Sequence, residues 1–177
     1  LQKLILEELH HRIKNTLATV SAIASQSLRN APSTEIAQHA IEGRLQALGR
    51  AHDLLLQARW TGADLKKIVR GATEPLANAD RPRFSIDGPD VQIASGAVIA
   101  LAMTLNELCT NTTKFGALSV PDGGVDINWD VDAAAERLQF TWSERNGPAV
   151  QAPTRQSFGT RLIETLGGGL SEFGFLN

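Results

Sequence analysis

Residues 8–24 read Glu8-Leu9-His10-His11-Arg12-Ile13-Lys14-Asn15-Thr16-Leu17-Ala18-Thr19-Val20-Ser21-Ala22-Ile23-Ala24. Leu9, Ile13, Leu17, Val20 and Ala24 recur at spacings of three and four, which places them on one stripe of an α-helix. Leu6 extends the stripe backwards, so the spacing predicts a helix from Leu4 to about Leu28. Asn30-Ala31-Pro32-Ser33 breaks it, and Ser33 or Thr34 can cap a second helix. Ile41, Leu45, Leu48, His52 and Leu55 form the inward stripe of that second helix, which runs to about Arg59. The expectation is an antiparallel two-helix hairpin. Such a hairpin buries only one stripe per helix and is marginal alone, so a second copy is expected to complete a dimeric four-helix bundle.

Past the break at Trp60-Thr61-Gly62 the pattern changes. Asp64 to Leu76 reads as a helix, Arg83 to Ile86 as a strand between Pro82 and Gly88-Pro89, and Ser95 to Phe115 as a long apolar helix. Val125, Ile127, Trp129 and Val131 alternate, as do Leu138, Phe140 and Trp142, the period of a β-hairpin. Phe158 to Leu166 is again helix-like, entered from a Gly/Pro-punctuated loop. The fold class is therefore α followed by α+β, with one domain at 1–60 and a second at 61–177.

The chain has 177 residues, 42% of them hydrophobic, enough for a packed core. A net charge of -2 with both signs scattered leaves no basic footprint for nucleic acid or an anionic membrane surface. The single cysteine, Cys109, cannot form an internal disulfide and sits in an apolar helical run as a small buried residue. The longest apolar stretch, near Gly96 to Met103, is far shorter than the roughly 20 residues of a bilayer span. The expected location is cytoplasmic, with no direct membrane insertion. Because the chain opens inside a helical pattern, it reads as the cytoplasmic piece of something longer.

Two adjacent histidines stand in the opening stretch. At about 100° per residue, His11 falls roughly 160° from the centre of the apolar stripe and His10 only about 60° from it. His11 therefore faces solvent with Glu7, Glu8, Lys14, Asn15 and Ala18. His52 lies on an inward stripe and His39 on an exposed face without companions. No His, Cys, Asp or Glu set has metal-ligand spacing. A solvent-facing imidazole offers a neutral nitrogen nucleophile at physiological pH.

Asn106-Glu107-Leu108-Cys109-Thr110-Asn111-Thr112-Thr113-Lys114-Phe115-Gly116 supplies a second constellation. Glu107, Asn111 and Lys114 stand at i, i+4 and i+7 on one helix face, opposite Leu101, Leu105, Leu108 and Thr112. A solvated face is the plain alternative. An amide oxygen can ligate Mg²⁺, a lysine can neutralise phosphate, and a carboxylate can orient or deprotonate a nucleophile, the requirements of phosphoryl transfer. Trp142-Ser143-Glu144-Arg145-Asn146-Gly147-Pro148 ends a strand in a turn-rich loop with an acid, and Ser157-Phe158-Gly159-Thr160-Arg161 opens a helix with a glycine that lets backbone amides approach phosphate.

Taken in order, these segments resemble the HWE subfamily of sensor histidine kinases, close to the HisKA_2 group. ELHHRIKNTLATVSAIA is similar to the phosphoacceptor box, GRLQALGRAHDLL to its second helix, LNELCTNTTKFGALS to the N box, WSERNGP to the G1 box and SFGTRLIE to the G2 region. The resemblance implies a helical dimerisation and phosphotransfer hairpin followed by a GHKL, or Bergerat-type, ATP-binding α/β sandwich. It implies ATP and Mg²⁺ as cofactors, autophosphorylation of His11, and transfer to an aspartate on the receiver domain of a response regulator. It further implies a homodimer and an upstream sensor module in the same polypeptide. By the same resemblance Glu107 assists catalysis and Asn111 holds the metal. Lys114, Gly147, Phe158, Gly159 and Thr160 line the nucleotide, and Glu144 accepts from the adenine amino group. Trp142 reads as structural, at the pocket floor.

The chain departs from the family pattern at Asn106, where a histidine is usual, and at Asn146 and Ser157, where glycines are usual; Arg12 follows His11 as in the family's His-Arg-x-Lys-Asn, where many kinases outside the subfamily carry an acid. With Arg12 in that place, Glu107 or Glu8 would have to help the imidazole. The end after Glu164 is shorter than the family's. An inactive kinase-like scaffold, a phosphotransfer adaptor that does not use ATP, and a non-kinase ATPase of the same fold stay open as alternatives.

Overall fold

The structure is a computed structural model that describes residues 2–77, 82–132, 137–149 and 173–176. It divides into two compact units, Leu1–Gln46 and Ala47–Asn177. The first contains helix α1, Gln2–Asn30, and the opening half of helix α2, Thr34–Gln57. Ser33 starts α2 as expected: its hydroxyl accepts from the Ile36 amide at 3.3 Å and its carbonyl from the Ala37 amide at 3.0 Å.

The face that α1 buries is not the one its apolar spacing indicates. Ile23 and Ser27 are buried, and the Ser27 hydroxyl accepts from Arg44 Nη1 at 2.5 Å. Leu9, Ile13 and Leu17, read as inward, are 50%, 58% and 63% exposed, and Leu6 and Leu28 are exposed with them. Ile23 lies about 80° around the helix from Ile13, but Ser27, eighteen residues after Leu9, lies in line with it, so burial differs along the helix as well as around it. The leucine stripe of the N-terminal turns is therefore left bare in the single chain, while the later turns at Ile23 and Ser27 are covered.

In the second unit, α2 continues to Gln57 and places Ala51 and Leu55 in the hydrophobic core. The change from long helices to mixed structure comes near residue 60, but compactness divides the chain inside α2. Arg59 and Trp60 adopt positive φ and end the helix, and the Trp60 ring meets His52 edge-on at 5.6 Å. Strand β1, Gly62–Asp64, follows and pairs antiparallel with β3, Gln92–Ala94. Strands of three residues carry no readable alternation, which is why the sequence showed only a break there. Helix α3, Leu65–Thr73, is capped by Asp64, whose side chain accepts from the Lys67 amide at 3.0 Å. A 3₁₀ turn at Glu74–Leu76 completes the segment read as one helix.

The main sheet has the order β2-β4-β5-β6, with β2 Phe84–Asp87, β4 Gly124–Asp132, β5 Arg137–Arg145 and β6 Phe173–Leu176. β2 runs parallel to β4, β4 antiparallel to β5, and β5 parallel to β6. The expected hairpin is β4 and β5, with Ile127 opposite Trp142 and Trp129 opposite Phe140. Their inward residues pack with Leu65, Ile68 and Val69 of α3 and with Leu101 and Leu105 of α4, Ser95–Lys114. Parallel β2 and β4 need a crossover, and α4 lies in it. Cys109 is buried on α4 as expected. Burial pushes its thiol up to about 12, the positive charge of Arg50 acting against that rise, so it stays protonated and unreactive at neutral pH.

The Trp129 indole stacks parallel on Phe140 at 6.2 Å and donates from Nε1 to the Pro89 carbonyl at 2.8 Å. A methyl group on Gly88 would overlap that ring. Gly88→Ala is therefore expected to destabilise the second unit by about 1–3 kcal/mol, as overpacking does, read from the urea midpoint. The helix expected at Phe158 to Leu166 lies outside the described residues.

Candidate functional site

The spacing of Glu107, Asn111 and Lys114 is realised on α4, but the three have different surroundings. Every residue from Val98 to Leu105 except Ile99 is buried, and this burial extends to Glu107, which is only 7% exposed. Asn111 and Lys114, in the last turn, are exposed. The face thus begins inside the protein and ends in solvent. A carboxylate at its inner end and an amide and an ammonium at its outer end make a graded surface.

Glu144 closes the site from β5. Its Oε1 accepts from the Thr112 hydroxyl and its Oε2 from the Ala117 amide at 2.6 Å. Thr112 was grouped with the leucines of α4 and is 1% exposed. A buried hydroxyl needs a partner, and that partner is the candidate acid. Gly116 fits because any methyl group there would overlap the Glu144 carboxylate, and Gly147 fits because its missing Cβ would fall 2.9 Å from the Ala117 Cα. Two stretches separated in sequence therefore meet at one carboxylate: the end of α4 with the 3₁₀ turn Ala117–Ser119, and the end of β5, whose following Gly147 packs on Ala117. Asn146 takes φ +53, a conformation that asparagine tolerates better than most residues, so its place in a glycine position costs little.

An ionised carboxylate offers about four lone-pair directions, so two internal bonds leave Glu144 with capacity for an outside donor. Removing one of the two is costly. Thr112→Val is expected to lower stability by about 1–3 kcal/mol by leaving that oxygen short of a donor, with Thr112→Ser close to wild type, both by urea denaturation. Trp142 is buried in the core on β5.

On the first unit, His10 and His11 are both exposed on α1. The Glu8 carboxylate, considered as a helper for the imidazole, is 2.6 Å from the Arg12 guanidinium. Among the described residues no group of three His, Cys, Asp or Glu could hold a metal ion, and no helix is long and apolar enough to cross a membrane. Phe158, Gly159 and Thr160 lie outside the described residues. Sequence reasoning missed Thr112 and Ala117. The first carried a signal, a lone hydroxyl on an apolar face, whereas the second acts through its backbone and left none.

The family model described as HWE histidine kinase matches residues 8–90. A blue-light-activated histidine kinase of Brucella anthropi is 40% identical over 162 residues, covering 90% of this chain and 33% of that protein. One from Brucella ovis is 36% identical over 165 residues, covering 92% of this chain and 34% of the relative. The chain thus spans about a third of the length of these curated relatives. Among solved structures, the blue-light activated histidine kinase EL346 of Erythrobacter litoralis matches with a TM-score of 0.58 at 18% identity, covering 91% of this chain and 54% of that one. The separate histidine kinase domain of the same protein also gives a TM-score of 0.58 and is covered to 79%. At that identity the likeness speaks for the fold, helices with small sheets in an α+β arrangement.

Proposed function

We propose, for a chain that belongs to the HWE histidine kinase family, that it autophosphorylates His11 from ATP and passes the phosphoryl group to an aspartate on a response-regulator receiver domain. The observation that carries this reading is the anchored Glu144 carboxylate, bonded to Thr112 and the Ala117 amide and cleared by Gly116 and Gly147. Its spare lone pairs suit an exocyclic amino group such as that of adenine. Exposed Asn111 precedes Thr112 on α4 and suits the hard oxygen ligation that Mg²⁺ demands, while Lys114 suits phosphate oxygens. Mg²⁺, when bound, offsets charge on the phosphates. Phe158, Gly159 and Thr160 complete the phosphate side by their resemblance to the G2 region.

In the reaction, a lone pair on the His11 imidazole attacks the γ-phosphorus. An N–P bond forms as the bond to the bridging oxygen breaks, and ADP leaves. In the second step a regulator carboxylate attacks the same phosphorus and the N–P bond breaks. The buried Glu107 serves as the assisting carboxylate. Residues 1–60 act as the dimerisation and phosphotransfer hairpin, half of a four-helix bundle, and 61–177 as the Bergerat-type nucleotide sandwich. The protein works in the cytoplasm under an upstream sensor module; the greater length of the blue-light-activated relatives supports the sensor module.

Incubating the purified protein with γ-labelled ATP and Mg²⁺ tests this. The expected result is acid-labile, base-stable label on the chain. Nucleotide binding without label would instead establish a kinase-like scaffold, and hydrolysis without label an ATPase.

A further inference from the structure

The guanidinium of Arg83, just ahead of β2, lies against the main-chain carbonyls of a single turn. Its Nε donates to Gly123 O at 2.9 Å, Nη1 to Leu118 O at 3.2 Å, and Nη2 to Ala117 O at 3.1 Å and to Val120 O. Four carbonyl dipoles pointing their negative ends at one place repel one another unless a cation sits between them. Arginine alone carries five donors in a rigid plane that can meet four such oxygens, whereas lysine is a point charge with three. The Arg83 backbone is fixed too, since its carbonyl accepts from the Val125 amide of β4 at 2.8 Å. The guanidinium is thereby tied to the sheet, and the turn at 117–123 is tied to the guanidinium.

Ala117 is the shared point. Its carbonyl is held by Arg83 and its amide donates to Glu144 Oε2 at 2.6 Å. Its side chain is fully buried, and Gly123 and Gly147 pack against the Ala117 backbone too closely for a methyl group on either glycine. With Ala117 fixed on both of its peptide groups, its N–H has one direction, and the Glu144 carboxylate has one orientation to match. We infer that Arg83 is the positioning residue of the nucleotide site. By holding the 117–123 turn it aims the Ala117 amide, sets the orientation of Glu144, and so determines how sharply the site selects adenine over guanine. This rests on the reading of Glu144 as the acceptor for the adenine amino group. Guanine presents a carbonyl oxygen at that place, which a correctly aimed carboxylate repels.

The test is the affinity of the purified protein for ADP and for GDP, by calorimetry, in wild type, Arg83→Met, Arg83→Lys, Glu144→Ala and the Arg83→Met/Glu144→Ala double variant, with thermal midpoints measured alongside. Wild type is expected to prefer ADP. Arg83→Met should lower ADP affinity by about tenfold, the effect of one misaligned hydrogen bond, with GDP affected less, so that the preference falls. Arg83→Lys should lie between. In the Glu144→Ala background, Arg83→Met should change the preference no further, because the effect passes through that carboxylate. A purely structural arginine would lower the thermal midpoint and leave the ADP to GDP ratio alone, and that result overturns the inference. So does a ratio that falls equally with and without Glu144. Should Arg83→Met fail to fold, an unchanged ratio in Arg83→Lys overturns it. A wild type that binds no ADP overturns instead the nucleotide-site reading from which this starts.

Discussion

Replacing His11 with glutamine is expected to reduce acid-labile labelling from ATP to the level of a protein-free control, whereas His10→Ala keeps most of it. Glutamine is similar in reach but its amide nitrogen has no nucleophilic lone pair, so the loss isolates the chemistry from the packing. The two histidines are adjacent and both exposed, and exposure alone does not choose between them. Rotation does. His10 and Leu17 are seven residues apart and within about 20° of each other around α1, so His10 borders the bare leucine stripe at its edge. His11 is turned about 120° from Leu17 and stays accessible when that stripe is covered. Label retained in His11→Gln and lost in His10→Ala would reverse the assignment.

The second large effect is on association. Ile13→Glu and Leu17→Glu together are expected to turn a dimer into a monomer in sedimentation experiments. Both side chains are more than half exposed in the single chain. Burying two such residues per subunit stabilises a dimer by about 1.5–3 kcal/mol each, so their loss weakens association by on the order of a hundredfold or more. Helicity should be unchanged, because the buried residues of α1, Ile23 and Ser27, stand six or more residues beyond Leu17 along the helix. Ala18→Glu, off the stripe, serves as the control and should leave the dimer intact. A wild-type protein that sediments as a monomer at every concentration would remove the four-helix-bundle reading and leave the stripe for another partner.

Much of the architecture was legible because it rests on local periodicity. The long helices α1, α2 and α4 and the β4–β5 hairpin repeat their apolar residues over enough turns or pleats for the period to be read, and Ser33 and Asp64 mark helix starts by their side chains. β1 and β3 were not legible, since three residues hold no period and each strand exists only because the other pairs with it. The division of the chain inside α2 was hidden for a related reason. Ala51 and Leu55 continue the same helical pattern as the residues before them, and only the core they enter tells the two halves of the helix apart.

At the candidate site the same division holds. The sequence by itself determined the helix that carries Glu107, Asn111 and Lys114, the outward turn of His11, and the presence of an acid at the end of a strand, because each follows from residue type and spacing within one element. Only the tertiary structure decided that Glu107 is buried while Asn111 and Lys114 are not, that Thr112 and the Ala117 amide hold Glu144, and that the leucine stripe of α1 lies outside. Those facts depend on which elements meet. A helix wheel gives the direction of a side chain about its own axis, but burial and hydrogen bonding are properties of a pair of surfaces, and the second surface comes from residues 17 or more positions away in the chain.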